Sequence, residues 1–418
     1  MREFDNDKGN MMFGGARAAD LADTFGTPVY VTDENIVREN YRRVYNAFAK
    51  HMATRVHYAC KANSSLAILK ILEQEGSYVD TLSAGEVMTC IKAGFPRSRI
   101  LYTGTCVSTP ELKAVADLGV MINIDSRSEL ERLAKIDTKI PISVRVTPGV
   151  GLGHSAKVIT GSKGSKFGIP IDNVMETYRR ALELGFKPKG IHAHIGSGGH
   201  GIDPLIEAVG ILADLTNEVK DELGLELEFI NMGGGIGVPY RPNETEEDVE
   251  ELASAVTDII LNETSVRTIA LEPGRYVVCD STILLTRCVD VKKSGTKNYV
   301  CVDAGFNTLI RPAFYDSYHH VAIANKFSKA GTEKYDVVGP ICESGDVLAK
   351  DRALPKPAEG DVIAVYNCGA YSFAMSSTYN SRPRCAEVLI KDGEAEVIRR
   401  AEEVQDLWRH QIIPGRLS

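Results

Sequence analysis

The chain has 418 residues, 44% hydrophobic and 25% charged, which is the composition of a globular protein large enough for two domains. Its net charge of -8 argues against nucleic acid or an anionic membrane as the main partner, because both attract a basic surface. Nine cysteines without a C-x-x-C pair, a polar start from Met1 to Met12 and no long apolar run predict a soluble, cytoplasmic protein without a zinc site.

Short apolar segments alternate with helical patterns from Arg55 onwards. The predicted strands are Arg55–Ala59, Tyr78–Leu82, Ile100–Thr103, Met121–Ile124, Ile142–Val146, Gly190–Ile195, Glu228–Met232 and Thr268–Leu271. Helices are predicted between them, for example over Ala84–Ala93 and Thr109–Leu118, with either Ser108 or Thr109 as one typical helix start and Ser126 as another. Eight such repeats favour a TIM-type (β/α)8 barrel over an open doubly wound sheet, which rarely needs eight strands.

After Val278 the pattern changes to short β-type segments separated by turn signals, which is typical of an antiparallel sheet or small β-barrel. The predicted strands are Ser281–Val291, Asn298–Asp303, Tyr335–Gly339, Asp361–Tyr366, Arg384–Ile390 and Ala395–Arg399. The apolar run around Val29 is a further strand that would join them. We therefore expect an α/β plus β protein: an N-terminal segment (1–33) joining the β domain, a cofactor-binding barrel (34–278) and a C-terminal β domain (279–418).

Chemically apt residues follow several of the predicted barrel strands. Lys61 follows the first strand among small and apolar neighbours, where partial desolvation favours the neutral amine that forms Schiff bases with aldehydes. His194 ends the sixth strand, Gly233-Gly234-Gly235 follows the seventh, and Glu272-Pro273-Gly274-Arg275 follows the eighth. Taken one at a time, these features would be interpreted as a solvated amine, a packed histidine, a tight turn and a surface ion pair, respectively. In a barrel, however, all these strand ends meet at one rim, where active sites form.

Together these residues suit pyridoxal 5'-phosphate. Lys61 would form the Schiff base, and the three glycines would offer backbone N–H groups to the phosphate. Glu272 would face the pyridine nitrogen and keep it protonated, which makes the ring an electron sink, while His194 would lie against the ring. A nucleotide site is less favoured, because the glycine run fits neither G-x-G-x-x-G nor the G-K-[ST] phosphate loop.

Three segments of the second domain carry further polar side chains. Arg311 combines a carboxylate-binding guanidinium with a phenol four residues on, at Tyr315. Cys342 alone would more often be a buried thiol, but Glu343 and the run to Asp346 indicate an exposed loop that carries an acid. The third segment places a phenol, Tyr371, after an apolar strand.

With these motifs the chain resembles the fold-type III pyridoxal phosphate decarboxylases, and most closely their diaminopimelate decarboxylase family. The likeness runs from Phe25-Gly26-Thr27-Pro28 to the segment ending at Leu407, and its most specific parts are the segments around Arg311 and Cys342. The motifs around Lys61 and Glu272 are shared with ornithine decarboxylases. The resemblance implies the alanine-racemase-like plan of a barrel plus a β domain, and a homodimer whose active sites are shared between subunits.

The resemblance also implies a role for each candidate residue. The cofactor would be bound by Lys61, His194, Ser197, Gly233, Gly234, Gly235, Glu272, Gly274, Arg275 and Tyr371. The substrate would be bound by Arg275, Arg311, Tyr315, Glu343 and Tyr371. Lys61, His194 and Cys342 would be catalytic, with Cys342 as the proton donor to the carbanion left by decarboxylation. Cys342 and Glu343 would come from the partner subunit.

Two arginines with a phenol for a carboxylate, and an acid for an ammonium, match the second amino-acid head of meso-2,6-diaminopimelate, which would be decarboxylated at its D-centre to L-lysine. Departures from the family pattern at Thr147, Gly198, Tyr276 and Thr378 leave open a decarboxylase of ornithine, lysine, arginine or a carrier-bound amino acid. A racemase would give the Cys342-Glu343 pair no role. A non-catalytic regulator would be expected to lose part of the cofactor set.

Overall fold

The structure, a computed structural model, describes residues 1–153, 157, 159–198 and 201–417. Two compact units make up the chain. The barrel unit comprises Val37–Pro239 and Thr245–Val278, and the β unit comprises Met1–Ile36, Tyr240–Glu244 and Cys279–Ser418. Among the described residues, no helix has both the length and the apolar character that crossing a membrane requires.

In the described part of the barrel unit, eight parallel strands close into a ring in chain order. They are Ala53–Ala59, Tyr78–Thr81, Ile100–Tyr102, Met121–Ile124, Ile142–Thr147, Pro188–Ala193, Phe229–Asn231 and Thr268–Leu271. The eighth strand pairs in parallel with the first, with Leu271 opposite Val56, so the sheet has no open edge. The predicted barrel and all eight of its strands are confirmed, with small differences at the strand ends.

A helix follows each barrel strand along the chain. These helices are Leu66–Gln74, Ala84–Ala93, Thr109–Leu118, Arg127–Ala134, Val174–Glu183, Asp203–Leu223, Val249–Glu263 and Arg275–Val278, and Glu34–Ala49 precedes the first strand. In Thr109–Leu118 the buried residues Leu112, Val115 and Ala116 recur at helical spacing, which turns one face to the sheet. The predicted caps are confirmed, since Ser108 and Ser126 each accept the backbone N–H three residues on.

The β unit is built around one long strand, Thr282–Ser294. Its first half pairs with Val29–Asp33 and Val362–Val365, and its second half pairs with Lys297–Val302. The other strands of this sheet are Val321–Ile323, Glu333–Val338, Val347–Leu354, Ala386–Lys391 and Glu394–Arg399. The predicted C-terminal sheet is confirmed, and most of its pairings are antiparallel.

Two pairings in the β unit are parallel, which the turn signals did not indicate: Lys297–Val302 with Glu333–Val338, and Val29–Asp33 with Ala386–Lys391. Strand Val347–Leu354 was not predicted, because its central Lys350, Asp351 and Arg352 give it no apolar alternation. The unit also contains the short strands Asn6–Asp7, Asn10–Phe13 and Ala16–Arg17 and the helices Ala18–Phe25 and Arg311–Tyr315.

Smaller elements complete both units. In the barrel unit, strand Leu152–Gly153 pairs with Gly196–Ser197, and Ile169–Pro170 with the end of the fifth barrel strand. Single 3-10 turns occur at Cys60–Ala62, Arg97–Arg99, Ile171–Asn173, Ala324–Lys326, Phe373–Met375, Tyr379–Ser381, Val404–Leu407 and Gly415–Leu417.

Candidate active site

Lys61 lies on the 3-10 turn Cys60–Ala62, directly after the first barrel strand. Its Nζ is 3.5 Å from Oδ2 of Asp80, the next-to-last residue of the second strand. The lysine side chain is 28% exposed and the aspartate side chain 1%. Burial, and then the charge of Glu272, raise the pKa of Asp80 to about 7, against the attraction of Lys61. Oδ1 of Asp80 has no hydrogen-bond partner among the described residues. The amine is therefore accessible and stands beside an acid that exchanges its proton near neutral pH.

Glu272 follows the eighth strand, and its carboxylate is buried. Each oxygen accepts a hydrogen bond, Oε1 from Nδ2 of Asn231 at 2.8 Å and Oε2 from His192 Nε2 at 3.2 Å. Burial alone would raise the pKa of Glu272, but His192 and then Lys61 outweigh it and hold the pKa well below its usual range. Glu272 is therefore an anion at physiological pH, as its predicted role beside a pyridine nitrogen requires.

His194 is half-buried at the carboxyl end of the sixth strand. Its Nδ1 accepts the backbone N–H of Gly234 at 3.0 Å, which fixes the plane of the ring against the glycine loop. Burial, assisted by the charge of Lys61, holds the pKa of His194 well below its usual range, so the imidazole is neutral. A neutral flat ring suits the predicted stacking role.

The glycine loop after the seventh strand is packed tightly against neighbouring backbone. A Cβ on Gly233 would lie 2.4 Å from the carbonyl oxygen of Ala193, and one on Gly234 would lie 2.4 Å from that of Glu272. The N–H groups of Gly233 and Gly234 donate to Asn231 Oδ1 and His194 Nδ1, respectively. In this arrangement, side chains of the barrel rim therefore accept the protons of these two N–H groups, and the contact of the three glycine N–H groups with a phosphate stays a prediction.

Arg275 begins the last helix of the barrel unit and is buried. Its Nε and Nη2 both lie 3.3 Å from Oγ of Ser197, so two predicted residues from different strand ends are brought together. Gly274 is packed against the first strand, where a Cβ would be 3.0 Å from that of Ala59. The motif after Ser197 continues to Gly199, and Gly199 lies outside the described residues, as do residues 154–156 and 158 of the loop from Gly149 to Gly168.

The barrel unit thus offers the groups that pyridoxal phosphate needs. A buried guanidinium with a hydroxyl, Arg275 and Ser197, suits the phosphate, and the ionised Glu272 suits the protonated pyridine nitrogen. The accessible Lys61 suits a covalent bond to the aldehyde, beside an oxygen of Asp80 that lacks a partner in the described chain. The residues fit this cofactor.

In the β unit, the segment from Ile341 to Asp346 forms a loop with Cys342 and Glu343 exposed, which confirms the predicted exposed loop carrying an acid. Asp346 anchors it by accepting the N–H of Ile341 at 2.7 Å. Tyr379 was given no role from the sequence, yet its hydroxyl donates to Oε1 of Glu343 at 2.7 Å. The thiol and the carboxylate are therefore presented together on an ordered surface loop.

Arg311 is buried within the β unit. Its Nη2 lies 3.3 Å from the hydroxyl of Tyr240 and 3.2 Å from that of Ser317, and the Tyr315 ring centre is 5.8 Å from its Cζ. Its Nε has no partner among the described residues. Tyr371 is half-buried with a φ of 57°, a left-handed conformation that is costly for a bulky residue and is usually kept for function.

Sequence reasoning missed three side chains that shape the barrel site. Asn123 and Asn231 lie inside the barrel, and His192 precedes the predicted His194 by two residues. Residues two apart on a strand face the same side, so the His-x-His spacing was a usable signal for His192. No comparable signal marks Asn123, whose partner is 69 positions away in the chain.

Comparison with known proteins adds independent information. Residues 35–279 match the family model of the pyridoxal-dependent decarboxylase, pyridoxal binding domain. The diaminopimelate decarboxylase of Methanothermobacter thermautotrophicus is 51% identical over 99% of this chain and 98% of its own. That of Archaeoglobus fulgidus is 42% identical over 98% and 99%. The crystal structure of diaminopimelate decarboxylase from M. jannaschii in complex with L-lysine superposes with a TM-score of 0.93 at 32% identity, covering 99% of both chains.

Proposed function

The chain belongs to the diaminopimelate decarboxylases, within the pyridoxal-dependent decarboxylases, and we propose that it removes CO2 from the D-centre of meso-2,6-diaminopimelate to give L-lysine, the last step of lysine biosynthesis. The observation that carries the chemistry is the buried, ionised Glu272 at the same barrel rim as the accessible Lys61. When bound, pyridoxal phosphate supplies the electron sink for the electron pair that CO2 leaves behind.

Within the barrel unit, different residues would bind the aldehyde, the ring and the phosphate of the cofactor. Lys61 would bind it through Nζ, the ionised Glu272 would keep the proton on the pyridine nitrogen, and the neutral His194 would lie against the ring. Arg275 and Ser197 hold the phosphate, and the loop from Gly233 to Gly235 with Gly274 completes the wall. Support for this comes from the donor geometry of Arg275 and Ser197 and from the tight packing of the glycines.

The β unit supplies the phosphate-facing phenol and the substrate-binding groups. Tyr371 contributes its hydroxyl to the cofactor phosphate and the substrate, and its strained backbone supports that role. Arg311 and Tyr315, with Arg275 of the barrel unit, bind the distal carboxylate of the substrate, and Glu343 binds the distal ammonium. In support, Arg311 is buried with an Nε that lacks a partner among the described residues.

Cys342 donates the proton that replaces the departing carboxylate. A thiol on an exposed loop is suited to this because it can reach a reacting carbon at a neighbouring surface, and the adjoining Glu343 would bring the substrate's ammonium to the same place. We propose that this surface belongs to the partner of a homodimer. The exposed apolar residues of the C-terminal segment, Trp408, Ile412 and Leu417, support an association of chains.

We also propose that the protein works in the cytoplasm. The described cysteines are all free, and one pair, Cys60 and Cys90, lies with sulfurs 3.8 Å apart without a bond between them. An oxidising compartment would favour closure of such a pair.

The substrate assignment is tested by measuring CO2 release from meso-diaminopimelate, L-lysine and L-ornithine. We expect release from the first alone, because an unpaired charged group in the distal site costs about 1–3 kcal/mol for each missing contact. Glu343→Gln should raise KM for diaminopimelate at least about 10-fold while the cofactor stays bound. Glu359→Gln, which changes an exposed glutamate of the same unit, is the control. Turnover of ornithine at the same rate, or unchanged kinetics of Glu343→Gln, would show that the distal site is assigned wrongly.

A further inference from the structure

Four buried polar side chains form a continuous hydrogen-bonded chain inside the barrel. The hydroxyl of Ser143 lies 2.8 Å from Oδ1 of Asn123, Nδ2 of Asn123 lies 2.8 Å from Nδ1 of His192, and Nε2 of His192 lies 3.2 Å from Oε2 of Glu272. They come from the fifth, fourth, sixth and eighth strand segments. Barrel interiors are normally filled by branched apolar residues, and burying four polar groups is costly unless each is hydrogen-bonded. Their presence there calls for a functional explanation.

The donor and acceptor atoms of these four side chains give the series of hydrogen bonds a direction. Ser143 donates its O–H to the amide oxygen of Asn123, which turns the amide N–H groups towards His192. Nδ1 of His192 therefore accepts, and the ring proton sits on Nε2, where it donates to Glu272. The opposite direction would place the lone pair of Nε2 against a carboxylate, so the ionised state of Glu272 and this tautomer support each other.

The other carboxylate oxygen of Glu272 accepts a hydrogen bond that does not involve His192. Oε1 accepts from Nδ2 of Asn231, whose own amide oxygen accepts the N–H of Gly233. Both carboxylate oxygens thus receive N–H donors from within the barrel, and such donors stabilise the ionised form. His192 differs from Asn231 because its donor capacity depends on its tautomer, which Asn123 sets.

We propose that His192 is a positioning residue: Asn123 and Ser143 hold it in one tautomer, and its Nε2–H fixes Glu272 as the anion that keeps the cofactor's pyridine nitrogen protonated. This rests on the role proposed above for Glu272. His192 does not need to contact substrate or cofactor. Its effect passes through a single hydrogen bond, and Asn123 acts one step further back.

The test is the protonation state of the pyridine nitrogen, read by 15N NMR of ring-labelled pyridoxal phosphate bound to the full chain, together with the Kd of the cofactor. His192→Leu should move the resonance towards that of the unprotonated ring and weaken cofactor binding about 10-fold, because the ionised form of Glu272 loses one of its hydrogen-bond donors. His192→Gln, which keeps an N–H donor, should restore most of both.

Asn123→Leu is the second variant and covers the case in which His192→Leu does not fold. It should move the resonance in the same direction by a smaller amount, because the tautomer of His192 is no longer set. Asn40→Leu removes another buried asparagine, one that bonds to the carbonyl of Val277, and should leave the resonance in place.

The Glu272→Gln variant distinguishes the proposed role of Glu272 from the proposed positioning role of His192. If it moves the resonance while His192→Leu and Asn123→Leu do not, the positioning role of His192 is wrong and the role of Glu272 stands. If Glu272→Gln itself leaves the nitrogen protonated, Glu272 is not its partner, and both the assignment of Glu272 and the inference about His192 are overturned.

Discussion

At the scale of single residues, two buried carboxylates at the barrel rim have pKa values that move in opposite directions. Both lose hydration, but each oxygen of Glu272 accepts an N–H, whereas Oδ1 of Asp80 has no partner in the described chain. For Glu272, the attraction of His192, its hydrogen bond and then the charge of Lys61 outweigh desolvation, whereas burial and then the charge of Glu272 raise the pKa of Asp80 to about 7. Electrostatic attraction together with hydrogen bonds therefore decides which of the two buried carboxylates is ionised.

The residue on which all the chemistry depends is Lys61. Lys61→Ala should abolish the visible absorbance of covalently held cofactor and lower kcat by about 10³-fold or more, because the variant lacks the amine that is proposed to form the Schiff base with the aldehyde. Absorbance spectra of the purified, cofactor-saturated protein and CO2 release measure both effects. Lys70→Ala, which removes a half-exposed lysine paired with Glu73 on the next helix, should behave like wild type. Persistence of the absorbance in Lys61→Ala would place the covalent bond elsewhere.

At the scale of elements, three loops between a barrel strand and the following helix share a Ser-x-x-Glu motif at the start of the helix. In the loop after the fourth strand, Oγ of Ser126 accepts the N–H of Glu129, and the carboxylate of Glu129 accepts the N–H of Asp125 at 2.8 Å. The same Ser-x-x-Glu spacing occurs at Ser83 and at Ser108. Each motif fixes the first turn of a helix, and with it the angle at which the preceding strand end enters the rim.

Glu129 makes this motif sensitive to pH. Burial, partly offset by the N–H of Asp125, raises its pKa from 4.5 to about 7. Well below pH 4.5 the carboxyl is protonated in both the folded and the unfolded state. As the pH rises towards 7 the unfolded chain ionises first, so the folded state loses stability. Glu129→Gln lacks this loss, and its free energy of unfolding relative to wild type should rise by up to about 3 kcal/mol between pH 4 and pH 8.

Urea titrations at several pH values measure this difference. Glu218→Gln, at an exposed position of a later helix, should show a difference that does not change with pH. A flat difference for Glu129→Gln as well would mean that Glu129 is ionised in the folded protein.

At the scale of the whole molecule, the proposed catalytic groups are divided between two units of the chain. Lys61 and Glu272 belong to the barrel unit, and Cys342 and Glu343 belong to the β unit. A homodimer with shared sites would let one chain supply the first pair and its partner supply the second. Such sharing predicts that two inactive chains can complement each other.

Hybrid dimers test this sharing directly. Lys61→Ala and Cys342→Ala should each be nearly inactive alone, whereas a hybrid purified through two different affinity tags should keep about half of the wild-type activity, since one of its two sites is intact. A hybrid of Lys61→Ala with Glu272→Ala, both in the barrel unit, should stay inactive. An inactive first hybrid, with its composition verified by mass spectrometry, would show that each site is built from one chain.

Local sequence patterns were enough to predict the barrel and much of its rim. Strand and helix periodicities depend on neighbours within a few residues, so the eight strands and the serine caps could be read locally. Lys61, His194 and Glu272 could be selected because the carboxyl ends of parallel strands always meet at one rim. The recognised motifs around Arg311 and Cys342 added the family, which the full-length relatives confirm.

The polar groups that meet inside the barrel could not be identified before the strands were seen to close into a ring. Asn123, His192 and Glu272 are 69 and 80 positions apart in sequence, and their contact depends on the register between strands that local periodicity does not fix. The same register brings side chains of the rim within hydrogen-bonding distance of the N–H groups of Gly233 and Gly234. The local sequence therefore predicts which strand ends carry the reactive groups, and the register of the closed sheet sets the hydrogen bonds and neighbouring charges around them.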